Sequence, residues 1–288
     1  MYKKNIVEYF QETLTHSPDK VAIEDGGRAL TFRMLADKAS AIAVALRKMT
    51  GDAINRPIGV FIDKSCESIE ADLGILYAGH AYMNLDIKMP VPRTRNILER
   101  IAPALVITTP RHAPILAASW PTERTFILDD SLFAATSADI ASLQANLERI
   151  IDTDPLCIIN TSGSTGTPKG VVLNHRSFID YTLWAIESLN IRSDDVLGSI
   201  APIVFDHSSY EFCLMLVGGC TLVFAPESFA MFPVKLLQLL LERNVTYIFW
   251  VPTLMVNIAN MGLLDKMSLP KLRLVCFAGE VFPTKQFN

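Results

Sequence analysis

The stretch at residues 161–170 has the composition of an anion-binding loop. Its sequence, TSGSTGTPKG, holds three glycines, five hydroxyl side chains, one proline and one lysine. Glycine lets backbone N–H groups turn toward a ligand, hydroxyls add short donors, and lysine supplies a positive charge. Phosphate is the commonest anion bound in this way, so the stretch predicts a phosphate loop. An ordinary solvent loop is the alternative, but no turn requires five hydroxyls and a lysine together.

This loop is not a Walker loop, because Lys169 is followed by Gly170 and not by a serine or threonine that could hold magnesium. It follows the apolar run LCIINT, which predicts a buried strand. Ligands of open α/β sheets bind outside the carboxyl ends of the strands, where such a loop would lie.

The elements that would position the loop alternate along the chain. Apolar runs such as IGVFI and TLVFA predict strands, and amphipathic stretches such as RMLADKASAIAVALRKM predict helices between them. VAIED and RALTF predict a hairpin around Gly26 and Gly27. Recurring strands with intervening helices favour an α/β fold with mainly parallel, doubly wound sheets.

Composition excludes several classes of protein. The 288 residues carry a net charge of −4, which gives no sign of a nucleic-acid partner. The apolar runs are too short to span a bilayer, and the acidic and polar residues near the N-terminus are not those of a secretory signal. The five cysteines form no CxxC pair and the histidines show no metal-ligand spacing. We therefore expect a cytoplasmic protein with reduced thiols, no protein-ligated metal and no membrane contact.

The segment TSGSTGTPKGVV resembles the phosphate-loop signature of the adenylate-forming enzymes, which include acyl-CoA synthetases, luciferases and amino-acid adenylation domains. NLDIKMPVPRTRNIL is similar to a further segment of that family, with Asn84 in place of the usual proline. FDHSSYEF and CFAGEVFP resemble segments of its amino-acid-activating members. These two stretches are most similar to D-alanine–carrier protein ligases and to the adenylation domains of peptide synthetases.

The resemblance implies an α/β fold of two stacked, mainly parallel sheet subdomains with a substrate cleft between them. One subdomain would comprise residues 52–185 and the other residues 1–51 plus 186–288. The family's barrel subdomain and its C-terminal domain, which carries a catalytic lysine, have no counterpart in this sequence. We therefore expect residues 1–288 to be a truncated N-terminal portion that is inactive alone.

The resemblance also implies a nucleotide site. The phosphate loop would hold the phosphates of ATP, with Mg²⁺ in attendance. Gly279 and Glu280 resemble the pair whose backbone passes close to the adenine, although a simple strand-end turn is the alternative for these two. The residues assigned to the nucleotide are Thr161, Ser162, Gly163, Ser164, Thr165, Gly166, Lys169, Gly279 and Glu280.

Asp206 is the main candidate for substrate recognition. It follows an apolar stretch, where a carboxylate is costly unless it is paired or faces a ligand. In amino-acid-activating relatives the matching aspartate holds the α-ammonium group of the substrate. The alternative is a helix N-cap, a position that aspartate favours.

The family match assigns further residues to the amino-acid pocket. For Phe249 and Cys276 a core position is the alternative. The complete set of expected pocket residues is Asp206, His207, Tyr210, Phe249, Cys276 and Ala278.

The resemblance implies ATP-dependent activation of an amino-acid carboxylate. The aminoacyl group would pass to the phosphopantetheine thiol of an acyl or peptidyl carrier protein. Two alternatives remain open at this point: a CoA ligase for an organic acid without an amino group, and a nucleotide-binding module that does not catalyse. We expect a monomer.

Overall fold

The computed structural model describes residues 2–129, 134–161 and 169–287. Its strands are β1 (Val21–Asp25), β2 (Arg28–Thr31), β3 (Pro57–Phe61), β4 (Ala81–Asn84), β5 (Leu105–Thr108), β6 (Thr125–Ile127), β7 (Pro155–Thr161), β8 (Lys169–Asn174), β9 (Val196–Ser199), β10 (Thr221–Phe224), β11 (Tyr247–Trp250) and β12 (Leu274–Phe277). Its helices are α1 (Ile6–His16), α2 (Phe32–Thr50), α3 (Cys66–Tyr77), α4 (Val91–Ile101), α5 (Ala113–Leu116), α6 (Ser137–Leu147), α7 (His175–Ser188), α8 (Asp206–Gly218), α9 (Pro233–Glu242), α10 (Pro252–Asn260) and α11 (Thr284–Phe287).

The strands form two six-stranded sheets. The first sheet has the order β12-β11-β9-β10-β1-β2, and the second has the order β6-β5-β3-β4-β7-β8. All neighbours are parallel except β1 with β2 and β7 with β8. The predicted α/β class with mainly parallel sheets is therefore confirmed, and each sheet ends in one antiparallel edge strand.

The predicted hairpin between β1 and β2 is present. Gly26 and Gly27 occupy its turn with φ values of +56° and +102°, which glycine adopts without the cost that a Cβ would add. The first sheet thus combines β1 and β2 with the late strands β9 to β12, while β3 to β8 form the second sheet. Subdomain borders at 51/52 and 185/186 remain a prediction.

Helices α3 and α8 lie between the two sheets. Helix α3 contacts β3 and β4 of the second sheet and β1 and β2 of the first. Helix α8 contacts β9 and β10, and its Phe212 meets Tyr82 of β4 edge-on, with ring centroids 5.9 Å apart. Both helices are buried along nearly their whole length, because each covers a sheet on either side.

The N-terminal helix α1 was not predicted from the sequence. Asn5 caps it by accepting a hydrogen bond from the Glu8 backbone N–H, and Ile6, Val7 and Phe10 bury its apolar face against α8 and neighbouring helices. The first turn therefore carried a readable cap and an apolar i, i+4 pair.

Candidate functional site

A cavity of about 890 Å³ opens at the carboxyl ends of three strands of the first sheet, β9, β11 and β12. Helix α7 forms one side and the start of α8 forms another. Most of the lining is apolar, so the cavity suits the hydrophobic part of a small ligand. The lining residues are Leu173, Ser177, Phe178, Tyr181, Ile200, Ala201, Pro202, Phe205, Asp206, His207, Tyr210, Ala230, Phe249, Trp250, Val251, Leu254, Ala278 and Gly279.

Six of the residues expected at the site lie on this cavity. They reach it from α8, from the end of β11 and from the segment after β12, because parallel strands bring their carboxyl ends to one edge. The six are Asp206, His207, Tyr210, Phe249, Ala278 and Gly279.

Aromatic rings form the inner wall of the cavity. The His207 ring stands edge-on to Phe249, with centroids 4.4 Å apart. Tyr210 lies 4.9 Å from Tyr181 and 6.2 Å from Phe249, again between ring centroids. The Tyr210 hydroxyl is 3.3 Å from the hydroxyl of the buried Tyr247, and burial raises the pKa of both phenols. The tyrosines therefore stay neutral near pH 7 and serve as walls and hydrogen-bonding groups.

Asp206 is the first residue of α8 and its side chain is exposed at the cavity mouth. The helix cap expected as an alternative is not formed there: the N-cap is Phe205, which has no side-chain cap bond. Asp206 Oδ1 accepts a 2.8 Å hydrogen bond from the His207 backbone N–H. Within the described residues, no lysine, arginine or histidine forms an ion pair with it.

One ring nitrogen of His207 faces the protein interior. Its Nε2 lies 3.1 Å from Oε1 of Glu211, one helical turn further along α8. The second carboxylate oxygen of Glu211 accepts a hydrogen bond from Ser199 Oγ at the end of β9. Lys64, from the loop after β3, donates to Ser199 Oγ over 2.6 Å and to the Ala201 carbonyl over 2.8 Å. A polar chain therefore reaches His207 from the second sheet.

Cys276 does not line the cavity, although it had been assigned to the pocket. It sits on β12 directly opposite Phe249 of β11, and it packs against the main hydrophobic core. Burial raises the pKa of its thiol. Phe249 packs against the same core and yet lines the cavity, so the assignment of Cys276 to the pocket stays a prediction.

The expected nucleotide residues are placed in part. Gly279 has φ +92° and lies on the cavity, and the nearest atom to a Cβ placed there would be Val251 Cγ1 at 3.7 Å. Glu280 accepts hydrogen bonds from the backbone N–H and the hydroxyl of Thr253, at the start of α10. The glutamate thus fixes the turn after β12 against α10.

The ends of the phosphate loop face each other across the β7–β8 hairpin. Thr161 pairs with Lys169, and both are exposed. The element that follows the loop is β8, which returns antiparallel along β7 as the edge strand of the second sheet. Among the expected loop residues, Ser162, Gly163, Ser164, Thr165 and Gly166 lie outside the described part of the chain.

Sequence reasoning missed two parts of the site. Tyr181 and Phe178 of α7 line the cavity, and Tyr181 stacks on Trp184 with centroids 5.6 Å apart. Both stacked rings are about half exposed, at 43% and 53%, and large exposed aromatics on one helix face are a signal of a binding surface. The second missed part is the chain from Glu211 to Lys64, of which only the i, i+4 spacing of His207 and Glu211 was visible in the sequence.

The sequence matches a known enzyme family along almost the whole chain. The model of the family described as "AMP-binding enzyme" matches residues 10–287, and the chain belongs to that family. The expected resemblance to adenylate-forming enzymes is thereby confirmed. No helix in the described ranges is long and apolar enough to cross a membrane. No three metal-ligating side chains cluster in those ranges either.

Curated relatives include peptide synthetases and a carrier-protein ligase. Gramicidin S synthase 2 of Brevibacillus brevis is 29% identical over 282 residues, which cover 98% of this chain and 6% of that protein. L-proline--[L-prolyl-carrier protein] ligase of Streptomyces coelicolor is 30% identical over 280 residues, which cover 91% of this chain and 52% of that protein. The chain therefore spans about half the length of the second relative and a small part of the first.

Solved structures show the same fold. The nonribosomal peptide synthetase FmoA3, in its AMPPNP-bound form, superimposes with a TM-score of 0.84 at 26% identity over 98% of this chain and 29% of that one. VinN superimposes with a TM-score of 0.82 at 21% identity over all of this chain and 71% of its own, which supports the fold alone.

Proposed function

We propose that the protein activates an amino acid with ATP and that the described cavity binds the side chain of that amino acid. A carboxylate oxygen of the substrate attacks the α-phosphorus of ATP. The bond from that phosphorus to the bridging oxygen breaks, and pyrophosphate leaves with the electron pair. The products are an aminoacyl-adenylate and pyrophosphate, the reaction type of the family to which the chain belongs.

The observation that carries this proposal is Asp206. It is a carboxylate at the mouth of an apolar cavity, with no cationic partner among the described residues. A substrate ammonium group at the cavity mouth would donate a charge-assisted hydrogen bond to the Asp206 carboxylate. An apolar side chain would then extend between Tyr210, Phe249 and Tyr181. This arrangement favours an amino acid over an organic acid.

The nucleotide fits the other end of the site. Gly279 leaves its backbone open at the cavity edge, and Lys169 is exposed at one end of the glycine-rich loop. Lys169 would place a positive charge beside the phosphates, and Mg²⁺ bound with ATP would neutralise charge on the departing pyrophosphate. In support, FmoA3 is described in an α-methyl-L-serine-AMP-bound form, at 28% identity and a TM-score of 0.84.

The acceptor of the aminoacyl group is proposed to be a carrier-protein phosphopantetheine thiol. The thiol sulfur attacks the acyl carbon, the bond to the AMP oxygen breaks, AMP leaves, and the thiol proton passes to solvent. The name of the Streptomyces coelicolor relative, a ligase of a carrier protein, supports this acceptor.

The test is ATP–pyrophosphate exchange by the full-length natural protein, with amino acids and their des-amino analogues as substrates. For Asp206→Asn we expect the ratio of kcat/KM between an amino acid and its analogue to fall roughly 30-fold, the loss of one hydrogen bond between charged groups. Asp265→Asn is the matched control, because Asp265 is exposed and lies outside the cavity. An unchanged ratio in Asp206→Asn, or preference of the parent for des-amino acids, would favour an organic-acid CoA ligase instead.

A further inference from the structure

The polar chain from Lys64 to His207 joins the two sheets. Lys64 belongs to the loop between β3 and α3 on the second sheet, while Ser199 ends β9 and Glu211 lies on α8, both on the first. Of the four residues, His207 alone borders the substrate cavity. Lys64, Ser199 and Glu211 approach it from behind, on the side away from the ligand.

The hydrogen atoms in the hydrogen bonds from Lys64 to His207 can be assigned by elimination. A lysine ammonium only donates hydrogen bonds, and an ionised carboxylate only accepts them. Ser199 Oγ therefore accepts from Lys64 and gives its own hydrogen to Glu211 Oε2. Glu211 Oε1 must then accept from His207, so Nε2 of the imidazole carries a hydrogen. The other ring nitrogen, Nδ1, has no hydrogen-bond partner in the described part of the chain.

Burial makes this assignment costly to disturb. Ser199 is 0% exposed and Glu211 is 3% exposed, so neither can exchange its partner for bulk water. Burial lowers the pKa of Lys64 to about 8, and Glu211 is the strongest of the nearby carboxylates that oppose this shift. The ammonium also lies 4.6 Å from the centre of the Phe224 ring. Buried charged groups add little net stability, and their best-attested use is to fix one arrangement.

We infer that Lys64, Ser199 and Glu211 are positioning residues that hold the His207 ring in one orientation and one tautomer at the wall of the amino-acid cavity. The inference rests on the proposed function for the identity of the ligand. The chain fixes the ring edge-on to Phe249, and it leaves Nδ1 as the ring atom that can accept a hydrogen bond from the substrate side. The loop after β3 thereby contributes to substrate recognition without touching the substrate.

The direct test is the tautomer of His207, read from long-range ¹H–¹⁵N spectra of the imidazoles in the full-length protein near neutral pH. In the parent, we expect hydrogen on Nε2 of His207. Glu211→Gln and Ser199→Ala should each give averaged nitrogen shifts, because the carboxylate or its bridge to Lys64 is lost. If Glu211→Gln fails to fold, Ser199→Ala, which removes one oxygen atom, decides the outcome.

Lys88→Met is the matched control. Lys88 is an exposed lysine on the second sheet that pairs with Glu227 after β10 of the first, so it also spans the two sheets but lies apart from His207. Its removal should leave the His207 signals unchanged, while Lys64→Met should shift them. A parent ring with hydrogen on Nδ1 and not on Nε2, or His207 signals that are the same in parent, Ser199→Ala and Lys64→Met, would overturn the inference.

A kinetic readout separates positioning from a general loss of structure. Ser199→Ala should raise KM for the amino acid roughly tenfold while KM for ATP stays within about twofold, because one hydrogen bond to a charged group is lost on the amino-acid side alone. Equal increases in both KM values would contradict a positioning role. If the parent activates no amino acid, the proposed function fails, whereas the tautomer measurement still decides the inference.

Discussion

Helices α3 and α8 both lie between the two sheets, yet they differ in how their N-termini are capped and in the partners of their buried acidic residues. Helix α3 begins with a complete capping box, in which the Ser65 hydroxyl accepts from the Ser68 backbone N–H and the Ser68 hydroxyl accepts from that of Ser65. Helix α8 begins after Phe205, which gives no side-chain cap, and its first turn faces the cavity. The first donors of α8 are bonded locally instead, the His207 N–H by the Asp206 side chain and the Ser208 N–H by the Phe205 carbonyl.

The buried acids of the two helices show the same contrast. Glu211 of α8 has a serine, a histidine and, through the serine, a lysine as partners. Asp72 of α3 accepts one 2.9 Å hydrogen bond from Asn84 Nδ2, and burial raises its pKa to about 8. One buried carboxyl group thus has a hydrogen-bond partner on each oxygen at a candidate site, while the other is neutral near pH 7. The comparison suggests that α3 is built for packing and α8 for binding.

The largest expected effect tests the packing of α3. A Cβ added at Gly74 would lie 2.6 Å from Ile42 Cγ2 and 3.1 Å from the Ala39 carbonyl oxygen, both on α2. Since backbone cannot move aside easily, Gly74→Ala should lower the free energy of unfolding by about 3 kcal/mol. Chemical denaturation measures this value.

Gly218, the last residue of α8, is the control for this substitution. A Cβ there would meet nothing closer than Cys220 Sγ at 3.4 Å, which is ordinary contact. Gly218→Ala should therefore change stability by less than about 1 kcal/mol. Equal losses in the two variants would remove the packing difference between the helices.

The second prediction concerns Asp72 and its neutral state. Its pKa is about 8 in the folded protein against 3.8 for an ordinary aspartate, so the folded state binds more protons between these values. This contribution to stability is complete below pH 4 and is lost as pH rises toward and through 8. In Asp72→Asn the loss is absent, and between pH 6 and 8 the variant should gain roughly 2 kcal/mol relative to the parent.

Denaturation of parent and variant at several pH values checks this prediction. The direction of the effect is supported by Oδ1 of Asp72, which is buried and has no hydrogen-bond partner in the described ranges, so no donor stabilises a charge on that oxygen. Asp265→Asn, at an exposed position, should show no such pH-dependent gain. A constant difference between parent and Asp72→Asn across this pH range would mean that Asp72 is ionised when folded.

The sequence predicted the strands and helices of the fold more completely than it predicted which strands pair with one another. The strands VAIED, IGVFI and LCIINT and the hairpin at Gly26 were readable because apolar runs and turn residues act locally. The antiparallel return of β8 was not, since its side chains alternate little between buried and exposed and its partner is chosen by tertiary contact.

The site follows the same division. Asp206, His207 and Tyr210 share one short motif, and Phe249 and Ala278 end neighbouring strands, so their meeting follows from a parallel sheet. Cys276 lies directly opposite Phe249 on the parallel strand β11, and its assignment to the pocket stays a prediction. Lys64 could not be predicted, because no local pattern states which loops of two separate sheets will meet.

The smallest expected effects compare the first residues of the two helices. Ser65→Ala removes a capping box and should lower the free energy of unfolding by about 1 kcal/mol. The exposed Asp206 side chain accepts one backbone N–H at the start of α8 and places a negative charge there. Asp206→Ala removes both, so the free energy of unfolding should fall by about 0.5 kcal/mol or less. Denaturation midpoints of the two variants, measured side by side at matched salt, give the comparison. If Asp206→Ala lowers the free energy of unfolding as much as Ser65→Ala does, the aspartate is needed to hold α8. The proposal that it binds a substrate ammonium group then loses its main support.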